Sequence, residues 1–299
     1  MDTIDDRRAI IQPLNKFWYG NKVAALDMLR LDLLHPVVSG NKWYKLRLNV
    51  MAAHDNHFKT IVTFGGGYSN HLVATAYAAR TWGLKSVGIV RGKYNHLTPT
   101  LEACKAEGME LLFVTKEDYS NKHEPEWTKS FVAHFDEVYI IPEGGANERG
   151  RTGAGLLNRF INKGYSHVIV SVGTGTTLIG LRDKLPVEQN IMGFVPMKEG
   201  AYLHQYIAAH VLTDKNKNWE LVDKYHFGGF GKWNNELVIF MNDFYREHKI
   251  PLDIVYTSKM MYGIYDTLLN ESYFSSCDKI LCIHTGGLQG NVAVEGLVF

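Results

Sequence analysis

The stretch His167-Val168-Ile169-Val170-Ser171-Val172-Gly173-Thr174-Gly175-Thr176-Thr177-Leu178 decides the fold. A β-rich apolar run passes into a glycine turn and then into a helical pattern, the order of strand, loop and helix in an α/β sheet. The glycines let the backbone approach an anion closely. The threonine hydroxyls add donors, and the helix directs its unpaired N–H groups and dipole at the same point. No Gly-Lys-Ser/Thr follows, and the third glycine of the dinucleotide fingerprint is missing. A phosphomonoester therefore fits Gly173, Thr174, Gly175, Thr176 and Thr177 better than a nucleotide does. Taken alone, the loop also reads as a plain strand-to-helix turn.

Upstream, the same alternation recurs. A helical pattern over 42–55 precedes Thr60-Ile61-Val62-Thr63-Phe64, and an Ala-rich helix from about Ser69 to Trp82 precedes Ser86-Val87-Gly88-Ile89-Val90. Helices near 98–107 and 126–134 lead to the runs Glu110–Val114 and Val138–Ile141. The turn at 142–147 and the glycines at 150 and 153 open a second unit, with helices near 151–163, 200–211, 233–248 and 258–270. Its strands are expected at 167–172, 191–195 and 279–283, the last ending in His284-Thr285-Gly286-Gly287. Short β-rich runs separated by helices require crossover connections, so parallel sheets are expected. With no long linker or repeat, the two halves are expected to pack closely with a cleft between them.

The chain of 299 residues suffices for one large or two modest domains. Hydrophobic residues make up 45%, charged residues 21%, and the formal charge is +1. No basic face for nucleic acid follows from this balance. No apolar run approaches a membrane span, and the acidic start Met1-Asp2-Thr3-Ile4-Asp5-Asp6 is unlike a signal peptide, so a cytoplasmic protein with a small ligand is expected. Cys104, Cys277 and Cys282 lack metal-ligand spacing, so neither a disulfide framework nor a metal site is indicated, and Cys282 reads as core.

Two further segments carry chemistry. Ser39-Gly40-Asn41-Lys42-Trp43-Tyr44-Lys45 sets two lysines one turn apart where a loop becomes a helix that Ser39 or Asn41 can cap. The helix dipole and a second ammonium at Lys45 favour a neutral, nucleophilic Lys42. In Phe64-Gly65-Gly66-Gly67-Tyr68-Ser69-Asn70-His71, glycines lead into a helix that Ser69 or Asn70 could cap. A carboxylate could bind there, and Asn70 can donate to a phenolate-like oxygen. Taken singly, Asn70 also reads as a cap and His71 as a partly buried helix residue.

The ordered set Gly40-Asn41-Lys42-x-x-Lys45-Leu46, Ser69-Asn70-His71, Gly173 to Thr177, Val255-Tyr256-Thr257-Ser258-Lys259 and His284-Thr285-Gly286-Gly287 resembles the motifs of the 1-aminocyclopropane-1-carboxylate deaminase and D-cysteine desulfhydrase family. The resemblance runs from about Leu31 to Gly287. It implies pyridoxal 5′-phosphate as cofactor and two open-sheet αβα domains, the fold type II of the tryptophan synthase β-subunit. Residues 1–43 and 151–299 would form the large cofactor-binding domain and 44–150 a small inserted one. By the same resemblance Lys42 is the Schiff-base lysine and the base for the α-proton, and Lys45 and the loop Gly173–Thr177 hold the phosphate. Asn70 then meets the cofactor's 3′ oxygen, and Ser69 the substrate carboxylate, with a share in proton transfer. Tyr256 becomes the acid–base group for the leaving atom.

The resemblance puts Thr257 at the pyridine nitrogen, where ring-opening deaminases carry glutamate. A hydroxyl there leaves the ring a weaker electron sink, suited to β-elimination of a good leaving group such as thiolate. The sequence departs from the family at Tyr68, where glutamine is usual, and at Phe230, where a second tyrosine is usual. With His71 these two line the implied substrate site. The lead-in of two adjacent acids is reduced to Arg30-Leu31-Asp32-Leu33. The implied activity is a pyridoxal-phosphate lyase converting D-cysteine to pyruvate, ammonia and hydrogen sulfide. The alternatives are the ring-opening deaminase or a cofactor-binding homologue with little turnover. A homodimer is usual for the family.

Overall fold

A computed structural model describes residues 4–198, 200–270 and 272–299; the first three residues of the acidic start lie outside them. The chain divides into two compact units, Lys42–Gly153 and Met1–Asn41 with Ala154–Phe299.

Along the chain the strands are β1 (Ile10–Pro13), β2 (Ala25–Arg30), β3 (Thr60–Gly66), β4 (Lys85–Arg91), β5 (Met109–Val114), β6 (Val138–Ile141), β7 (His167–Ser171), β8 (Asn190–Phe194), β9 (Trp219–Val222) and β10 (Lys279–His284). Within Lys42–Gly153 the sheet order is β5-β4-β3-β6, and every pairing is parallel. The central strand β3 is buried at each residue from Thr60 to Gly65, as a strand covered on both faces must be. Its core joins Val62, Phe64, Val87, Ile89, Val114 and Tyr119. The helices Asn70–Thr81 and Pro99–Ala106 are crossovers. The second starts as capping rules require, with Thr98 accepting the Leu101 N–H at 3.2 Å and Pro99 in the first turn.

The other unit orders its strands β1-β2-β10-β7-β8-β9, parallel except for β1 against β2. β7 is wholly buried, whereas the edge strand β1 is mostly exposed. Cys282 of β10 is fully buried in the same core as Met28, Ile169, Phe244 and Ile264.

Seven of the expected strands lie where the sequence puts them; β1, β2 and β9 were not anticipated. The helix expected at 151–163 instead runs Glu148–Gly155 and tightens into a 3-10 turn, Leu156–Phe160. Close backbone packing explains the shift: a Cβ at Gly153 would lie 2.0 Å from the Tyr44 carbonyl, and one at Gly155 2.7 Å from that of Gly180. Among the described residues no helix is long and apolar enough to cross a membrane.

Candidate active site

In the unit Lys42–Gly153, the helix Lys42–Asp55 starts with Lys42 itself. Lys45 is buried, and burial together with the Lys42 charge holds its amine well below the ordinary range. Gly145, at φ +69°, lets the chain pass against the Lys45 side chain, where a Cβ would come within 3.2 Å. The Asn49 amide donates to the Lys45 carbonyl at 3.0 Å. The Asn49 oxygen accepts from Asn147 at 2.7 Å and from the Tyr139 hydroxyl at 3.1 Å. This polar cluster fixes the first turns of the lysine helix.

The β3 loop carries the other residues expected in this unit. Ser69 caps the helix Asn70–Thr81, its hydroxyl accepting from the Leu72 N–H at 3.4 Å. Tyr68 is exposed, and Asn70 is half-buried. A clamp the sequence did not single out holds Gly67. The Tyr94 hydroxyl accepts the Gly67 N–H at 2.9 Å and donates to the Arg91 carbonyl at 3.1 Å, while the Thr98 hydroxyl donates to the Gly67 carbonyl. Only glycine fits under the Tyr94 ring, since a Cβ would lie 2.6 Å from it.

His71 is 3% exposed. The Thr63 hydroxyl donates to the Ile141 carbonyl at 2.8 Å, so its 2.9 Å bond with His71 Nε2 makes that nitrogen the protonated one. His71 Nδ1 is left as a buried acceptor with no hydrogen-bond partner. Burial, then the charges of Lys45 and Lys42, push the His71 pKa down to about 3, so the ring is neutral.

In the other unit, the β7 loop leads into the helix Thr176–Lys184 through Gly175, which is left-handed and provides no side-chain cap. The Thr174 and Thr176 hydroxyls bond each other at 2.8 Å, and the Asn41 amide donates to the Thr177 hydroxyl at 2.8 Å. Tyr256 lies across Gly173, where a Cβ would meet its ring at 3.4 Å. Phe230 sets its ring edge-on to Tyr256, centroids 5.8 Å apart.

The residues leading to Lys42 are locked to the last motif of this unit. A Cβ at Gly40, whose φ is +68°, would fall 1.8 Å from the Thr285 carbonyl, and one at Gly286 2.5 Å from the Ser39 hydroxyl. Both glycines are required by this interlock. His284 Nδ1 accepts the Gly286 N–H at 3.1 Å, and its Nε2 donates to the Pro251 carbonyl at 2.6 Å. Beside it Arg30 forks onto Asp32 at 2.8 and 2.6 Å. Burial opposes ionisation of Asp32, but the His284 ring and the Arg30 guanidinium hold its carboxyl below the usual range.

Asp253, also not picked out by the sequence, governs Tyr256 and Thr257. Its carboxylate accepts the N–H groups of Val255, Tyr256 and Thr257 at 3.1, 2.7 and 2.8 Å and the Thr257 hydroxyl at 2.6 Å. The Thr257 oxygen accepts the Asp253 N–H at 2.8 Å in return. An aspartate just before a helical run is a capping signal, as is the Thr98-Pro99 pair; Tyr94 offers no comparable signal.

The structure therefore gathers Lys42, Lys45, Tyr68, Ser69, Asn70 and His71 in one unit. It places Gly173, Thr174, Gly175, Thr176, Thr177, Phe230, Tyr256 and Thr257 in the other. No group of three or more His, Cys, Asp or Glu among the described residues could hold a metal ion. One unit has a glycine loop after β3 and a buried Lys45, and the other a glycine loop and an uncapped helix start after β7; each is a local feature of small-molecule sites in α/β enzymes.

The family model for pyridoxal-phosphate dependent enzymes matches residues 28–286, and the chain belongs to that family. A putative 1-aminocyclopropane-1-carboxylate deaminase of Pyrococcus furiosus is 30% identical over 288 residues, covering 89% of this chain and 86% of the relative. The mitochondrial bifunctional D-cysteine desulfhydrase/1-aminocyclopropane-1-carboxylate deaminase of Arabidopsis thaliana is 26% identical over 287 residues, covering 87% and 72%. Among solved structures, an ACC deaminase homologue superposes with a TM-score of 0.82 at 26% identity, covering 95% of this chain and 90% of that one.

The residues present fit the cofactor. At the β7 loop a Cβ at Gly175 would meet the buried Ile207 at 3.1 Å, so the glycine lets the loop turn tightly into its helix. The helix it opens has no side-chain cap competing for its first N–H groups. The other unit supplies two lysines, whose ammonium groups suit an anionic ligand.

Proposed function

We propose that the protein is a lyase that removes the α-proton and the β-substituent of a small amino acid, with D-cysteine as the foremost substrate and pyruvate, ammonia and hydrogen sulfide as products. The observation that carries this reading is the side chain at 257. It is a threonine whose hydroxyl is already donated to Asp253, not an acid free to protonate a ring nitrogen. Phe230 adds to it, since the ring set against Tyr256 carries no hydroxyl to assist ring opening.

When bound, the cofactor supplies the electron sink that takes up the negative charge left at the α-carbon. The rest falls to this chain. Lys42 would hold the cofactor through its amine and would take the α-proton of the substrate. Lys45 and the β7 loop neutralise and orient the phosphate. Ser69 would receive the substrate carboxylate at the start of its helix, and Asn70 would meet the cofactor's 3′ oxygen. Tyr256, held by Asp253 through its backbone N–H, protonates the departing sulfur. The aminoacrylate released consumes one water to give pyruvate and ammonia.

Relatives bearing both activity names make the substrate the point to test. Visible absorbance of the purified protein, followed by D-cysteine with pyruvate and sulfide assays, should give a yellow protein that forms both products. Product from 1-aminocyclopropane-1-carboxylate instead would establish the deaminase. A spectral shift without product from either would leave a cofactor-binding homologue. The reading includes a cytoplasmic location and, as the family resemblance implies, a homodimer; light scattering at a monomer mass of about 34 kDa would remove the dimer.

A further inference from the structure

Lys259 is the least expected charge in the molecule. It is 1% exposed, and its ammonium donates to three backbone carbonyls: His226 at 2.8 Å, Gly229 at 2.9 Å and Pro196 at 3.2 Å. An ammonium has three protons, and here each is met by one carbonyl oxygen, the coordination a bound monovalent cation would adopt. Burial pushes the amine down to about 8, with the Asp253 carboxylate pulling the other way, so it stays charged at neutral pH. A buried ammonium is expensive, and an apolar side chain would fill the same volume at less cost. Simple packing therefore does not account for it.

The carbonyls it binds belong to a strained turn. Phe227, Gly228, Gly229 and Gly231 have φ of 51°, 90°, 128° and 67°. Such a run does not persist on local preference, least of all with a phenylalanine among the left-handed residues. Within the turn, His226 Nδ1 accepts the Gly228 N–H, and the His226 carbonyl accepts the Gly229 N–H, each at 3.0 Å. Lys259 ties this turn to the helix Thr257–Asn270, whose start carries Tyr256 just before it. Phe230, between two of the left-handed glycines and 57% exposed, is the residue the turn presents to Tyr256.

We propose that Lys259 is a positioning residue: as a tethered internal cation it holds the 226–231 turn in its strained shape, setting Phe230 against Tyr256 as the wall that meets the substrate's β-substituent. The part played by Phe230 and Tyr256 rests on the function proposed above; the hold on the turn does not. Loss of the cation should loosen the wall and weaken substrate binding more than it slows proton transfer.

The test uses the holoprotein and its Lys259→Met variant, with amide hydrogen exchange of 226–232, KM and kcat for D-cysteine, the cofactor absorbance band, and added ammonium chloride. The variant should keep the absorbance band, exchange the turn's amides about tenfold faster or more, and raise KM about tenfold with kcat changed less than about threefold. In Lys259→Ala, which leaves room for a free cation, ammonium ions should slow that exchange and recover part of the KM, which no purely structural filler would allow. A folded variant with parental exchange overturns the proposal, as does a fall in kcat with the turn unchanged. If Lys259→Met does not fold, Gly229→Ala strains the same turn at φ +128° and should reproduce the faster exchange and raised KM; parental values there also overturn it. Should the parent lack both band and activity, the proposed function fails, while the exchange data still decide whether Lys259 holds the turn.

Discussion

Two loops built on one local pattern behave differently. After β3, the glycines are closed over by their own surroundings. A Cβ at Gly65 would strike Ser69 at 2.6 Å, Gly67 lies under Tyr94, both backbone polar groups of Gly67 are bonded to side chains, and Ser69 caps the helix. After β7, Gly175 starts its helix left-handed with no side-chain cap, and the threonine hydroxyls bond each other and Asn41. The closed loop suits rigid presentation of the side chains from Tyr68 to His71. The open one suits an anion at the helix start. Strand, glycines and helix are therefore not in themselves a phosphate site; what caps the helix decides.

Removing the Lys42 amine gives the largest effect. Lys42→Ala should abolish the cofactor's imine absorbance and lower D-cysteine turnover by about 10³-fold or more, and an unchanged band in a visible spectrum would remove Lys42 from its role.

The sharpest test of the contrast pairs two glycines. Gly175→Ala, strained at φ +78° and crowded by Ile207, should weaken cofactor binding by about 10²-fold in a fluorescence titration, with little change in KM once cofactor is saturating. Gly67→Ala should displace Tyr94 and do the reverse, raising KM for the amino acid while the cofactor stays bound. Equal effects in both assays would dissolve the distinction between the loops.

Acid, with a His71 variant as control, probes the helix start that the closed loop presents. In the cofactor-free protein His71 takes up a proton only near pH 3, whereas the unfolded chain does so near 6.5. The unfolded state thus binds more protons between those values, so this contribution to stability is whole above pH 6.5 and is lost as pH falls toward 3. At pH 5 the loss is about 2 kcal/mol, and urea midpoints at pH 7 and 5 should differ by that much less in His71→Gln. The smallest effect compares single bonds. Tyr94→Phe strands the Gly67 N–H and Asn41→Ala leaves the Thr177 hydroxyl without its donor, each lowering stability by about 1 kcal/mol in urea unfolding.

Much of the fold was legible because buried parallel strands write themselves as runs such as Ile61-Val62-Thr63-Phe64 and Val168-Ile169-Val170. β2 was not, since Ala25-Leu26-Asp27-Met28-Leu29-Arg30 has no β-branched residue, and β1 and β9 are four-residue edge strands with too little pattern to read. The candidate site was legible where chemistry sits in contiguous motifs. Tyr94 and Thr98, far along the chain from Gly67, and the Asn49, Tyr139 and Asn147 cluster behind Lys45 were not, because their meaning is a partner that only folding supplies. Thr257 shows the same limit. Its identity could be read from the sequence, and Asp253 four residues earlier carried a capping signal, but that the Thr257 hydroxyl is spent on that carboxylate took the structure to show.

The sequence by itself determined the parallel α/β architecture, the position of the lysine pair and the two glycine loops, since hydrophobic period and glycine placement are local properties of the chain. The tertiary structure alone decided which glycine loop is closed, which histidine nitrogen is left unpartnered, and that a lysine in the first turn of its helix binds three carbonyls. Those outcomes depend on backbone and side-chain groups distant in sequence meeting at hydrogen-bond range, and no local pattern encodes such a meeting.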